Sequence, residues 1–173
     1  MNVLMLKLRA TECNGWPKIK IFIDNDIIEE YEFNNKDASI IIPIDLLDGQ
    51  YTLNIELFNK NKHNCIIDNN GKIIQDQTVE LVDIYIDNIR LPNFYKWMGI
   101  YKFGDQTLLQ AVKWGYNGVW SWTFEVPIIT WILNKKIEDQ EKNNKPKVSY
   151  FEIIKKDEEL LDLMDSNIKC IKE

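Results

Sequence analysis

Short runs in which every second residue is apolar, each closed by a turn, constrain this chain more than any other feature. In residues 18–24, Ile19, Ile21 and Ile23 fall on one side and Lys18, Lys20 and Phe22 on the other. In residues 51–58, Tyr51, Leu53, Ile55 and Leu57 oppose Thr52, Asn54 and Glu56. In residues 119–126, Trp120, Trp122, Phe124 and Val126 oppose Ser121, Thr123 and Glu125. Side chains of an extended backbone point alternately to opposite faces, so a period of two describes a strand with one buried face. No strand buries such a face alone. Several of them, separated by turn signals at about 8–12 residues, must close over one another as an antiparallel β-sandwich.

The rest of the first ninety residues fits the same reading. Residues 1–10 alternate Val3 or Leu4, Leu6 and Leu8 with Lys7 and Arg9, which describes a first strand rather than a secretion signal and places the protein in a cytoplasm. Asn14-Gly15, Asp24-Asn25-Asp26 and Asp48-Gly49 are turns, and Trp16-Pro17 holds the chain extended. Residues 38–46 carry Ile40, Ile41 and Ile42 with Pro43, the mark of an edge strand or a bulge. In residues 78–91 the alternation slips between Val79/Leu81 and Val82/Ile84/Ile86. Either a bulge near Leu81-Val82 or a strand covered on both faces accounts for it.

The expected architecture is mainly β: a jelly-roll-like antiparallel β-sandwich over residues 1–92, with an aromatic extension strand and a C-terminal α-helix. Residues 93–133 hold five of the six tryptophans and read as an extension packed on the sandwich or on a partner. Residues 134–148 read as a charged linker, or as a helical extension up to Pro146. In residues 149–173, Leu160, Leu161, Met164, Ile168 and Ile171 recur at helical spacing, and that stripe needs the body or a partner to cover it.

Several function classes are excluded by composition. A net charge of −6 argues against sequence-independent nucleic-acid binding, and no Lys/Arg cluster suggests a basic patch; no run approaches the ~20 apolar residues that cross a membrane. Cys13, Cys65 and Cys170 are odd in number and scattered, as reduced thiols are. The single histidine, His63, has no Cys or Ser motif around it, and the seven glycines are isolated in turns. The chain therefore offers neither a nucleophile–base pair nor a phosphate loop, and an enzyme is not expected. The loop 59–77 is rich in oxygen donors: Asn59, Asn61, Asn64, Asp68, Asn69, Asn70 and Asp76. Two readings of it stay open: a calcium site, since hard cations take carboxylate and amide oxygens, or ordinary turn chemistry.

The segments GWPKIKIFIDND, LLDGQYTLNIELFNK and NNGKIIQDQTVELVDIYIDNIRL resemble those of small β-sandwich carbohydrate-binding modules, notably the calcium-dependent xylan-binding ones. Gly49-Gln50-Tyr51-Thr52-Leu53-Asn54-Ile55 and Ile84-Tyr85-Ile86-Asp87-Asn88-Ile89 carry the likeness, and Asp68 and Asp76 fall where that family's loop acids would. The resemblance implies calcium on Asp68 and Asp76. It also implies a glycan site with Trp16 and Tyr51 as platforms and Asn59, Asn61 and His63 as hydrogen-bonding groups. Such sandwiches followed by an aromatic segment like YNGVWSWTFEVPIITWIL are also similar to accessory virion proteins of tailed bacteriophages. The codon bias fits: Ile, Asn and Lys exceed a third of the chain, and nineteen of the twenty-one basic residues are lysine, as in an AT-rich genome. On this likeness the leading expectation is a structural virion protein, made in the host cytoplasm and joined to other virion proteins in a homo-oligomeric or symmetric assembly. Trp120, Trp122, Phe124, Leu160, Met164 and Ile168 would form its contacts. The alternative is a glycan-binding adhesion module, with or without calcium.

Overall fold

The alternating runs become strands: β1 (Asn2–Thr11), β2 (Lys18–Ile23), β3 (Asp26–Glu32), β4 (Asp37–Ile44), β5 (Gly49–Leu57), β6 (Cys65–Ile67), β7 (Ile73–Asp76) and β8 (Thr78–Ile86). They continue as β9 (Ile89–Arg90), β10 (Ile100–Phe103), β11 (Gln106–Leu109), β12 (Lys113–Trp114) and β13 (Gly118–Val126), with helices α1 (Asn93–Trp97) and α2 (Ile128–Lys142). The computed structural model describes residues 2–142. The helix expected at 149–173, with Leu160, Met164 and Ile168, and the end of the expected linker lie outside the described residues. Met1–Trp131 form one compact unit, and a second begins at Ile132, within α2.

Two large antiparallel sheets and a separate two-stranded hairpin, β6–β7, build the first unit. One runs β12-β8-β1-β4 with β9 beside β8, the other β11-β10-β13-β5-β2-β3. The alternate residues named above face inward: Leu4, Leu6 and Leu8 of β1, Ile19, Ile21 and Ile23 of β2, and Leu53, Ile55 and Leu57 of β5 are all buried. Pro43 lies in β4, the outer strand of its sheet, where the missing N–H costs no ladder bond. The slip in residues 78–91 is a bulge. Lys7 pairs with Asp83 and Leu8 with Leu81, so Val82 is the extra residue, and beyond it the buried set changes register to Ile84 and Ile86.

The boundary expected at residue 92 is corrected. β13 sits between β10 and β5 in the middle of a sheet, and β12 extends the other sheet beside β8, so the sandwich runs on past residue 92. The contact role expected for Trp120, Trp122 and Phe124 is corrected with it. All three are fully or almost fully buried inside this chain. Trp122 stacks on Phe124 at 5.1 Å, Trp114 of the opposite sheet approaches Trp120 at 5.9 Å, and Trp131 meets Trp122 edge-on at 5.5 Å. Alternation reveals that a face is buried and is silent on what buries it. Here the second sheet does, at about 2–3 kcal/mol per aromatic side chain. Of the two readings of the charged segment, its start takes the helical one, because α2 runs through 134–142.

Candidate functional site

The strands β5, β13 and β2 come together at one end of the sandwich: Leu57 at the end of β5 pairs with Gly118 at the start of β13 and with Ile19 of β2. The loop after β5, the hairpin β6–β7 and the turn 115–117 therefore meet there. Asn117 binds both backbone groups of Lys60: its Oδ1 accepts from the Lys60 N–H and its Nδ2 donates to the Lys60 carbonyl, each at 2.8 Å. The Lys60 ammonium donates to the Asp76 carboxylate, to the Gly115 carbonyl and, at 3.0 Å, to the Gln77 carbonyl. A Cβ at Gly115 would stand 2.9 Å from Asp76 Oδ2, so any larger residue there displaces the carboxylate from its place beside Lys60. Asn61 caps the short 3-10 turn Lys62–Asn64 by accepting from the His63 N–H, and Asn64 returns the bond to the Asn61 N–H.

These pieces enclose a cavity of about 360 Å³ lined by Asn61, Lys62, Asp76, Tyr116 and Asn117, among others. Tyr116 is 60% exposed, and its ring lies parallel to Phe103 at a centroid distance of 4.8 Å. Its backbone carbonyl accepts from the buried Tyr101 hydroxyl, which fixes the turn from below. Cys65 also lines the cavity, but burial, then the hydrogen bond and charge of Asp76, push its thiol above the ordinary value. A thiol held protonated is a poor nucleophile and a poor metal ligand.

The residues expected from the sequence scatter around this centre. Asn61 and Asp76 line the cavity. Asn59 is beside it, but both ends of its amide are occupied: it accepts from the Lys18 N–H at 2.8 Å and donates to the Trp16 carbonyl at 3.1 Å. Trp16 is thus bound through its backbone, with its side chain half-buried. His63 is exposed, and its carbonyl accepts from Asn14 Nδ2 at 2.7 Å. Tyr51 stands at the start of β5, roughly 25 Å along the strand from Asn59, where its hydroxyl donates to the Leu47 carbonyl at 3.0 Å. It belongs to the opposite end of the sandwich.

The two aspartates are also apart. Asp76 faces Cys65 across the base of the β6–β7 hairpin, whereas Asp68 lies in its turn and accepts from the backbone N–H of Asn70 and Lys72 at 2.9 and 2.8 Å. Among the described residues no group of three or more His, Cys, Asp or Glu side chains is placed to hold a metal ion. Lys60, Gly115, Tyr116 and Asn117 were not singled out by sequence as site residues. The local sequence signal there is that Tyr116-Asn117-Gly118 reads as a turn.

No protein-family model matches the chain, and no curated protein matches it. Two solved structures are similar in fold. One is vCBM60 in complex with galactobiose, 9% identical with a TM-score of 0.49, over 69% of this chain and 96% of that one. The other is the selenomethionine form of vCBM60, described as linking, through circular permutation, two families of calcium-dependent carbohydrate-binding modules. It is 10% identical with a TM-score of 0.50, over 70% of this chain and 90% of that one. At such identity the likeness concerns the fold: a β-sandwich of the carbohydrate-binding-module type.

Proposed function

We propose that this chain is a non-catalytic glycan-binding module whose sugar lies in the cavity beside Tyr116. The observation that carries the reading is that cavity. An exposed aromatic ring, supported by Phe103, stands next to an amide (Asn61), an ammonium (Lys62) and a carboxylate (Asp76). A sugar presents an apolar C–H face and a rim of hydroxyls, and a ring flanked by donors and acceptors complements both. The sandwich shared with modules described as carbohydrate-binding supports the same class of ligand. A glycan array followed by titration calorimetry tests it. Wild-type protein binds a glycan, and Tyr116→Ala weakens that binding at least tenfold while the protein stays folded at the assay temperature, because the side chain is 60% exposed, it loses only the stack on Phe103 and the contact with Lys60, and its carbonyl remains. An array without hits, or a Tyr116→Ala variant that binds as wild type does, overturns the proposal.

Calcium dependence does not follow. Calcium takes about six to eight oxygens. Asp68 is satisfied within its own turn, and the Asp76 carboxylate already faces an ammonium. This donor set does not fit the ion.

A second reading, assembly with other protein subunits as in a virion, loses the tryptophan face that motivated it. A different surface favours it. Phe94, Trp97 and Met98, in α1 and just after it, are exposed, as are Ile100 and Leu109, which pair across the following hairpin, Leu109 by 72%. Exposed apolar side chains of this size mark an interaction surface when left uncovered.

A further inference from the structure

We infer that the Lys60 ammonium is the resident cation of this site and takes the place of a metal ion. An ammonium has three donors and no acceptor. All three are used, on the Asp76 carboxylate, the Gly115 carbonyl and the Gln77 carbonyl. One carboxylate and two backbone carbonyls are the oxygens a hard cation selects, and they come from two stretches of chain: the β7–β8 junction, which supplies Asp76 and Gln77, and the turn before β13. Lys60 itself brings a third, the loop after β5. A positive charge at their meeting point holds three segments together.

The surroundings are built for this charge. The Lys60 side chain is 11% exposed and that of Asp76 22%, so neither ion is solvated as on an open surface. The Asn117 clamp fixes the Lys60 backbone from both sides, which aims the side chain at its cage. Glycine at 115 keeps the space beside Asp76 open, since a Cβ there would stand 3.5 Å from the ammonium as well as 2.9 Å from the carboxylate. A divalent ion on Asp76 would meet the ammonium at the same oxygens, and like charges at that range repel strongly. The cage therefore has one tenant, and it is covalently attached.

This inference bears on the glycan reading only in making binding there independent of metal, and its test stands whether or not a glycan is found. Thermal melts of the full chain are recorded in calcium chloride and in EDTA. The wild-type melting temperature is the same in both, and calorimetric titration with calcium chloride gives no saturable heat. Lys60→Met leaves the Asp76 carboxylate unpaired and lowers the melting temperature by about 4–8 °C. Lys60→Met/Asp76→Asn removes both charges and recovers most of that loss, as lost packing alone would not. A calcium-induced rise of several degrees in the wild type overturns the inference. So does a Lys60→Met variant that melts as wild type does, or a double variant no better than the single one. Should Lys60→Met fail to fold, the wild-type calcium measurements and the rescue by the double variant remain decisive. If a glycan has been identified, its affinity is unchanged by EDTA. Loss of affinity with EDTA refutes the resident-cation inference, whereas absence of any glycan refutes only the proposed function.

Discussion

Adding one methyl group at Gly99 tests the account of the core more sharply than deleting a tryptophan does. Built on the backbone at 99, a Cβ stands 2.2 Å from Cε2 and Nε1 of Trp120 and 2.3 Å from Cζ2. Carbon contacts begin near ~3.5 Å, so the overlap is roughly 1.3 Å along one edge of the indole. Trp120 has nowhere to go: it is 0% exposed, with Trp114 at 5.9 Å and Trp122 at 6.5 Å. Overpacking a dense core typically costs about 1–3 kcal/mol, and an overlap this large against an immobile ring places Gly99→Ala at about 3 kcal/mol or above. For a domain of this size that is a fall of about 6–12 °C in melting temperature. Gly71→Ala is the control. Gly71 has φ +82° with nothing within 4 Å of the added Cβ, so only the backbone term acts, at about 1 kcal/mol. Urea denaturation followed by far-ultraviolet circular dichroism and tryptophan fluorescence compares the two. Trp120→Phe in the Gly99→Ala background relieves the overlap, so the pair couples by about 1–3 kcal/mol in a double-mutant cycle. A Gly99→Ala variant within about 1 kcal/mol of wild type, or no more damaged than Gly71→Ala, refutes the packing described for Trp120.

Alkali and concentration provide the remaining tests. Burial pushes the Tyr101 phenol above its ordinary value. The unfolded chain therefore ionises first, and stability present below pH ~10 is lost as pH rises beyond it. Tyr101→Phe flattens that decline in chemical-denaturation curves between pH 9 and 11 or so, at a cost of about 1 kcal/mol at neutral pH for the lost bond to the Tyr116 carbonyl; an unchanged alkaline slope contradicts the assignment. If the apolar surface around Leu109 is an assembly surface, light scattering of the purified chain shows a mass above that of the monomer, and Leu109→Asp returns it to monomer. A monomeric wild type removes that reading.

The strands were legible in the sequence because burial on one face repeats with the backbone's own period. Even the slip in residues 78–91 carried information: a bulge near Leu81-Val82 was one of its two readings, and Val82 is the inserted residue. Partnership was not legible. Trp120, Trp122 and Phe124 present the same pattern to a second sheet as to another protein, and only the placement of β13 between β10 and β5 decides between them. The boundary drawn at residue 92 failed for the same reason. A change of composition marks where tryptophan is used, and tryptophan here fills a core that earlier strands had already begun.

The site was harder to read because its acceptors are largely backbone atoms. An aspartate in a polar loop invites a metal on chemical grounds, and Asp68 and Asp76 look equivalent in the sequence. Folding makes them opposites. Asp68 closes its own turn with amides two and four residues away, while Asp76 meets a cation sixteen residues upstream, and that cation also binds a carbonyl fifty-five residues downstream of itself. Carbonyls exist at every residue, so no residue type announces which of them a fold will gather. Lys60 looked like one of many lysines in a lysine-rich chain for that reason. What distinguishes it is the low exposure of its side chain together with a full set of acceptors, and a charged group that is nearly buried and fully satisfied is organising its surroundings. The oxygen-rich loop and the expectation of a hard cation thus meet at one point, with the ion supplied by the chain.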